Sequence, residues 1–210
     1  LADVLGLQAR RLGNRGVWAL PQGKAYYDAA LRWYTSTDLD ADAIHAVGLD
    51  EVARVETLMD ARLDQLGLRD GSVAARVQQL RQDPRYLYAD TDAGRKELLG
   101  DIEQRLRDLD PILPTWFGHL PPQKLVVQPV PAHMQKTSPG GYYYPPAMDG
   151  SRPGTFFINL GDIESNTRWS IPTLTYHEGS PGHHFQISIG QTLTDLPLLR
   201  RSLNPSAFSE

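Results

Sequence analysis

The chain has 210 residues, 40% hydrophobic and 22% charged, with a formal net charge of −4. That is the composition of one ordinary globular domain or two small ones, and it excludes a disordered chain. The mildly acidic balance argues against a nucleic-acid partner, no apolar run reaches the roughly 18 residues of a membrane span, and the absence of cysteine excludes thiol catalysis, disulfides and thiolate metal sites.

Of the 16 prolines only Pro21 and Pro84 precede residue 110, so the first half reads as helices. Asp40 is placed to cap a helix running to about Leu66, with Ile44, Val47, Val55, Leu58, Leu63 and Leu66 at three- and four-residue steps and Gly67 as its stop. A short helix follows Ser72, with Val73, Val77 and Leu80 on one side. A longer one follows Thr91, striped by Leu98, Ile102, Leu106 and Leu109, and Pro111 ends it. These stripes are expected to face the core. Asp38, Asp40 and Asp42 imitate a calcium loop, but Ala43 and Leu49 stand where its Gly and Glu are needed.

The second half opens with Pro121-Pro122. The run Lys124 to Pro131 suits a strand, which its prolines confine to an edge or a strand end. Gly140 to Pro146 reads as an aromatic loop and Asp149 to Gly154 as a turn. Thr155 to Leu160 is a second strand, and a helix is expected from Ser165 or Asn166 through Trp169, Leu174 and Tyr176. The whole reads as mostly helical α+β: a helical scaffold over 1–120, then strands and a motif helix over 121–210, forming one continuous domain. The start at Leu1 without Met and the end at Glu210 without a helix stop suggest an internal slice of a longer protein.

The chemistry concentrates in Tyr176-His177-Glu178-Gly179-Ser180-Pro181-Gly182-His183-His184-Phe185-Gln186, which holds three of the six histidines. Imidazole is the commonest neutral zinc ligand, and an adjacent Glu is the general base of zinc peptidases. In the usual arrangement two His four apart share one helical face. Here His183 and His184 lie six and seven residues after His177, with two glycines and a proline between. Those residues predict a bulge or a broken turn. A straight helix would favour His184 as the second ligand and a bulge His183; the reading leans to His183 and keeps His184 as the alternative. His45, His119 and His133 are isolated and read as structural. Ser180 lacks the first Gly of a nucleophile elbow.

This motif resembles the signature of the bacterial family known as domain of unknown function 885, a relative of the gluzincin zinc metallopeptidases. The likeness extends to Gly16 through Tyr27, Thr37 through Val52, and Tyr144 through Gly154 with the strand that follows. It implies a metallopeptidase-like fold and a zinc-dependent hydrolase acting on peptides. Zn2+ would be held by His177, His183 and Glu210, with Glu178 as base. Glu210 matches the first position of a family segment whose remainder is absent here. Substrate contacts are expected from Tyr143, Tyr144, Arg152 and Asn159: a phenol donating to the developing oxyanion, a guanidinium gripping a carboxylate, and the Thr155–Leu160 strand lying along the cleft as an edge that pairs with an extended peptide. An exported or periplasmic location is favoured for the full-length protein. The rival readings are a zinc-binding protein without turnover and a helical interaction module.

Overall fold

The computed structural model describes residues 13–202 and 206–210. The residues from Leu1, read above as the start of an internal slice, lie outside them. The architecture is mostly helical with one small sheet, an α+β arrangement. In chain order the helices and strands are α1 (Gly23–Thr35), α2 (Ala41–Gln65), α3 (Val73–Arg81), α4 (Asp92–Leu109), α5 (Leu113–Trp116), β1 (Leu125–Pro129), β2 (Gly141–Tyr144), β3 (Gly154–Ile158), α6 (Ile171–Glu178), α7 (His183–Thr192), α8 (Leu198–Ser202) and α9 (Ser206–Ser209). They divide into two compact units, Leu1–Arg62 with Pro205–Glu210, and Leu63–Asn204. No helix among the described residues is long and apolar enough to cross a membrane.

In the first unit, α9 packs on α1. Asp40 caps α2 as expected, its carboxylate accepting from the Ala43 N–H at 2.9 Å. The α2 stripe does not face a core. Val47 is 60% exposed and Leu58 54%, and Leu63 is the buried residue of the helix. A periodic apolar face is buried only where another element lies against it.

The second unit is built on α4 and the sheet. Thr91 caps α4 through the Gly94 N–H at 3.1 Å. Its stripe lands in the core: Leu98 and Ile102 are fully buried against Tyr88, Phe156, Ile158, Leu160, Ile163 and Ile171. Each such side chain contributes about 1.5–3 kcal/mol through removal from water. Leu109 packs in a second cluster with Leu113 and Phe185.

The sheet order is β1-β3-β2, with β1 parallel and β2 antiparallel to β3. Two expectations are corrected here. Gly140 to Pro146 is not wholly a loop, because Gly141–Tyr144 pairs with Ile158–Thr155 as β2. Its tyrosines suit a pleated surface, and β3 supplies the partner. Nor is the strand after Gly154 an edge. It is central, paired on both sides and almost entirely buried, so it has no free ladder for a peptide. β1, with Pro129, is an edge, as its proline requires.

The helix expected from Ser165 or Asn166 starts later, at Ile171. Asn166 is buried, and its amide donates to the carbonyls of Asn159 and Asp162 at 3.0 and 3.3 Å. That pins a loop where the sequence predicts a helix start. Arg168 then braces the approach to α6. Its N–H donates to the Tyr86 carbonyl at 2.8 Å, and its guanidinium pairs with Glu97 of α4 at 2.7 Å.

Candidate metal centre

The motif sits on two short helices. Pro172 is tolerated in the first turn of α6, where its missing N–H would have no helical partner. Ile171 and Thr175 face inward, and Glu178 continues that face seven residues on, so its side chain is buried. His177, one residue earlier, stands exposed. The helix stops at Gly179, whose N–H donates to the Thr175 carbonyl at 2.9 Å.

Gly182 sets how the next helix begins. A Cβ there would fall inside the contact radius of the Tyr176 and His177 carbonyls. Only a glycine lets the start of α7 lie so close to the last turn of α6. The result is that His183, the first residue of α7, faces His177 across the break. Their ring centroids are 4.4 Å apart, at an interplanar angle of 71°.

His184 goes elsewhere. It is 3% exposed, and both ring nitrogens are engaged. Nε2 lies 3.2 Å from the Gln123 carbonyl, which can only accept, so Nε2 carries the proton. Nδ1 is left to accept from the Tyr143 hydroxyl at 2.9 Å, with Ser188 Oγ at 3.4 Å. Burial pushes the His184 imidazole down to about 4, so it is neutral, and pushes the Tyr143 phenol up to about 12. Gly154 makes room for the pair, since a Cβ there would meet the Tyr143 hydroxyl and lie 2.6 Å from His184 Nδ1. His184 thus ties α7 to β2 and to the segment before β1, and it offers no nitrogen to a metal.

The substrate-binding residues expected from the sequence do not gather on one surface. Tyr143 spends its hydroxyl on His184. Tyr144 and Arg152 lie on the other face of the sheet, the guanidinium 4.3 Å from the Tyr144 ring centroid. Asn159 is a structural clasp. Its amide donates to the carbonyls of Gln135, Ser138 and Pro139 at 2.8 to 3.2 Å, and its oxygen accepts from the Gly161 N–H at 3.0 Å. Glu210 belongs to the first unit, where its N–H donates to the Ser206 carbonyl at 3.0 Å and prolongs the turn of α9. His45, His119 and His133 are exposed. Gln123 had no signal in the sequence, since it acts through its backbone 61 residues from His184. Ser188, four residues after His184 on α7, was visible only as helical spacing.

A crystal structure from Colwellia psychrerythraea, of a protein provisionally named a lipoprotein, is similar to this chain. The two share 40% sequence identity with a TM-score of 0.90, over 93% of this chain and 33% of that one. The chain therefore spans about a third of the length of that protein. None of the curated proteins matches. The family model of bacterial proteins of unknown function DUF885 matches residues 1–210, and the chain belongs to that family.

Proposed function

We propose that the protein is a zinc-dependent hydrolase acting on peptide bonds, with His177, His183 and Glu210 as metal ligands and Glu178 as general base. The observation that carries this reading is the facing of His177 and His183 across the helix break, with Glu178, next to His177 in the chain, buried. Glu210 enters as the third ligand through the resemblance of its segment to the family pattern, not through a distance. Two imidazoles and a carboxylate without thiolate suit zinc in a hydrolase, and three protein ligands leave a position open. The peptide class comes from the resemblance of the motif to gluzincin metallopeptidases. An exported location accords with the provisional name of the Colwellia protein.

When bound, zinc supplies Lewis-acid activation of a water and of the scissile carbonyl. Glu178 takes the proton from the attacking water and delivers it to the leaving amine. His177 and His183 orient the ion. His184, held by Tyr143 and Gln123, fixes the backbone from which His183 projects.

Metal content and peptidase turnover test the reading together. His177→Ala is expected to abolish stoichiometric zinc, and retention of a full equivalent would overturn the ligand assignment. Glu178→Gln is expected to keep the metal while turnover falls by about two to four orders of magnitude. Loss of metal in that variant would make Glu178 a ligand, and unchanged turnover would remove it from catalysis.

A further inference from the structure

The sheet has a second face that the metal reading leaves unused. Side chains alternate along each strand, so Tyr142 and Tyr144 of β2 point away from Tyr143 and its His184 bond. They share their face with Thr155 and Phe157 of β3. Tyr142 stacks on Phe157, with centroids 5.0 Å apart at 25°. Met134 and Pro139 from the β1–β2 connection, with Pro153, wall this face into a cavity of about 780 Å³. That volume lies within the roughly 300–1,000 Å³ of small-molecule sites.

Among the described residues, Arg152 is the one charged residue lining the cavity. Its guanidinium lies over the Tyr144 ring and donates to the Pro153 carbonyl at 3.2 Å. Guanidinium has five N–H donors, and stacking leaves those on its edge directed outward. No carboxylate among the described residues forms an ion pair with Arg152. Such a cation beside an apolar wall favours an anionic occupant, because a carboxylate gives the guanidinium a charge-assisted, bidentate partner.

We propose that this face binds an organic anion with a flat apolar body and a single carboxylate. The body would lie between the Tyr142–Phe157 stack and Met134, and the carboxylate would take the guanidinium edge of Arg152. Charge complementarity selects this occupant. One guanidinium matches one carboxylate, and the described residues of the walls offer no second cation for a more highly charged group. The site is separate from the metal ligands and does not depend on zinc.

The experiment titrates 4-phenylbutyrate into the protein by calorimetry, with 4-phenylbutanamide as the uncharged control, with and without a metal chelator. The acid is expected to saturate one site whether or not the chelator is present, and the amide to bind about tenfold more weakly, a difference of about 1.4 kcal/mol. Arg152→Gln is expected to weaken the acid by a similar factor and to leave the amide and the zinc content unchanged. Three results would overturn the proposal: no saturable binding of the acid, equal affinity for acid and amide, or binding abolished by the chelator. The last would put the carboxylate on the metal ligands. The comparison of acid with amide needs no variant, so it decides the matter even where Arg152→Gln fails to fold.

Discussion

Helices α2 and α4 carry the same kind of apolar repeat and meet opposite surroundings. On α4, Leu98 and Ile102 are sealed beneath Phe156 and Ile158 of the central strand. On α2, Val47 and Leu58 stand more than half exposed. Both helices are capped by the side chain the sequence supplies, Thr91 and Asp40. The difference teaches that a three- and four-residue rhythm says which side chains share a face. What covers that face is a property of the rest of the molecule.

The largest effect on stability should come from the covered stripe. Ile102→Ala removes a fully buried side chain from a cluster of eight buried residues, and the walls of the cavity can collapse only in part. A loss of about 2–5 kcal/mol in urea-unfolding free energy is expected. A loss below about 1 kcal/mol would mean that α4 is no better covered than α2.

The same distinction decides what could be read from the sequence. Caps, the α4 stripe and the two β-branched runs depend on neighbours within a few residues, and they were legible. The strand Gly141–Tyr144 was not. Its flanking glycines and prolines signal a loop, and only Phe156 and Phe157, more than ten residues on, make it a strand. In the motif, Gly179, Pro181 and Gly182 announced a break in the helix. They could not say which histidine would turn toward His177, because that choice is set by Tyr143 and Gln123, 41 and 61 residues away.

His183 and His184 repeat the comparison at the scale of two neighbours. One is partly exposed beside His177, while the other is buried with both nitrogens engaged. His184→Ala leaves the Tyr143 hydroxyl and the Gln123 carbonyl without this partner and opens a void next to them. A stability loss of about 2–4 kcal/mol is expected. His183 is only partly buried, so His183→Ala should cost less, below about 1 kcal/mol, while zinc binding is lost. Unfolding curves and metal analysis on the two variants separate the roles. Loss of zinc in a stably folded His184→Ala protein that keeps His183 beside His177 would bring His184 back as a ligand.

The smallest effect is expected on α2. Leu58 keeps 54% of its surface in water, so truncation to Ala removes few contacts and leaves no cavity. Helix propensity works the other way, since Ala is the better helix former by a few tenths of a kcal/mol. The two terms nearly cancel, and Leu58→Ala should change stability by no more than about 0.5 kcal/mol, a shift in Tm of about 2 °C or less. The measurement is thermal unfolding at two protein concentrations at least tenfold apart. A loss of 2 kcal/mol or more that grows with concentration would show the α2 face to be covered in solution by a second copy. A similar loss independent of concentration would show it covered within the molecule. Either result would erase the contrast with α4, because both stripes would then be buried and the rhythm alone would have been enough to find a core.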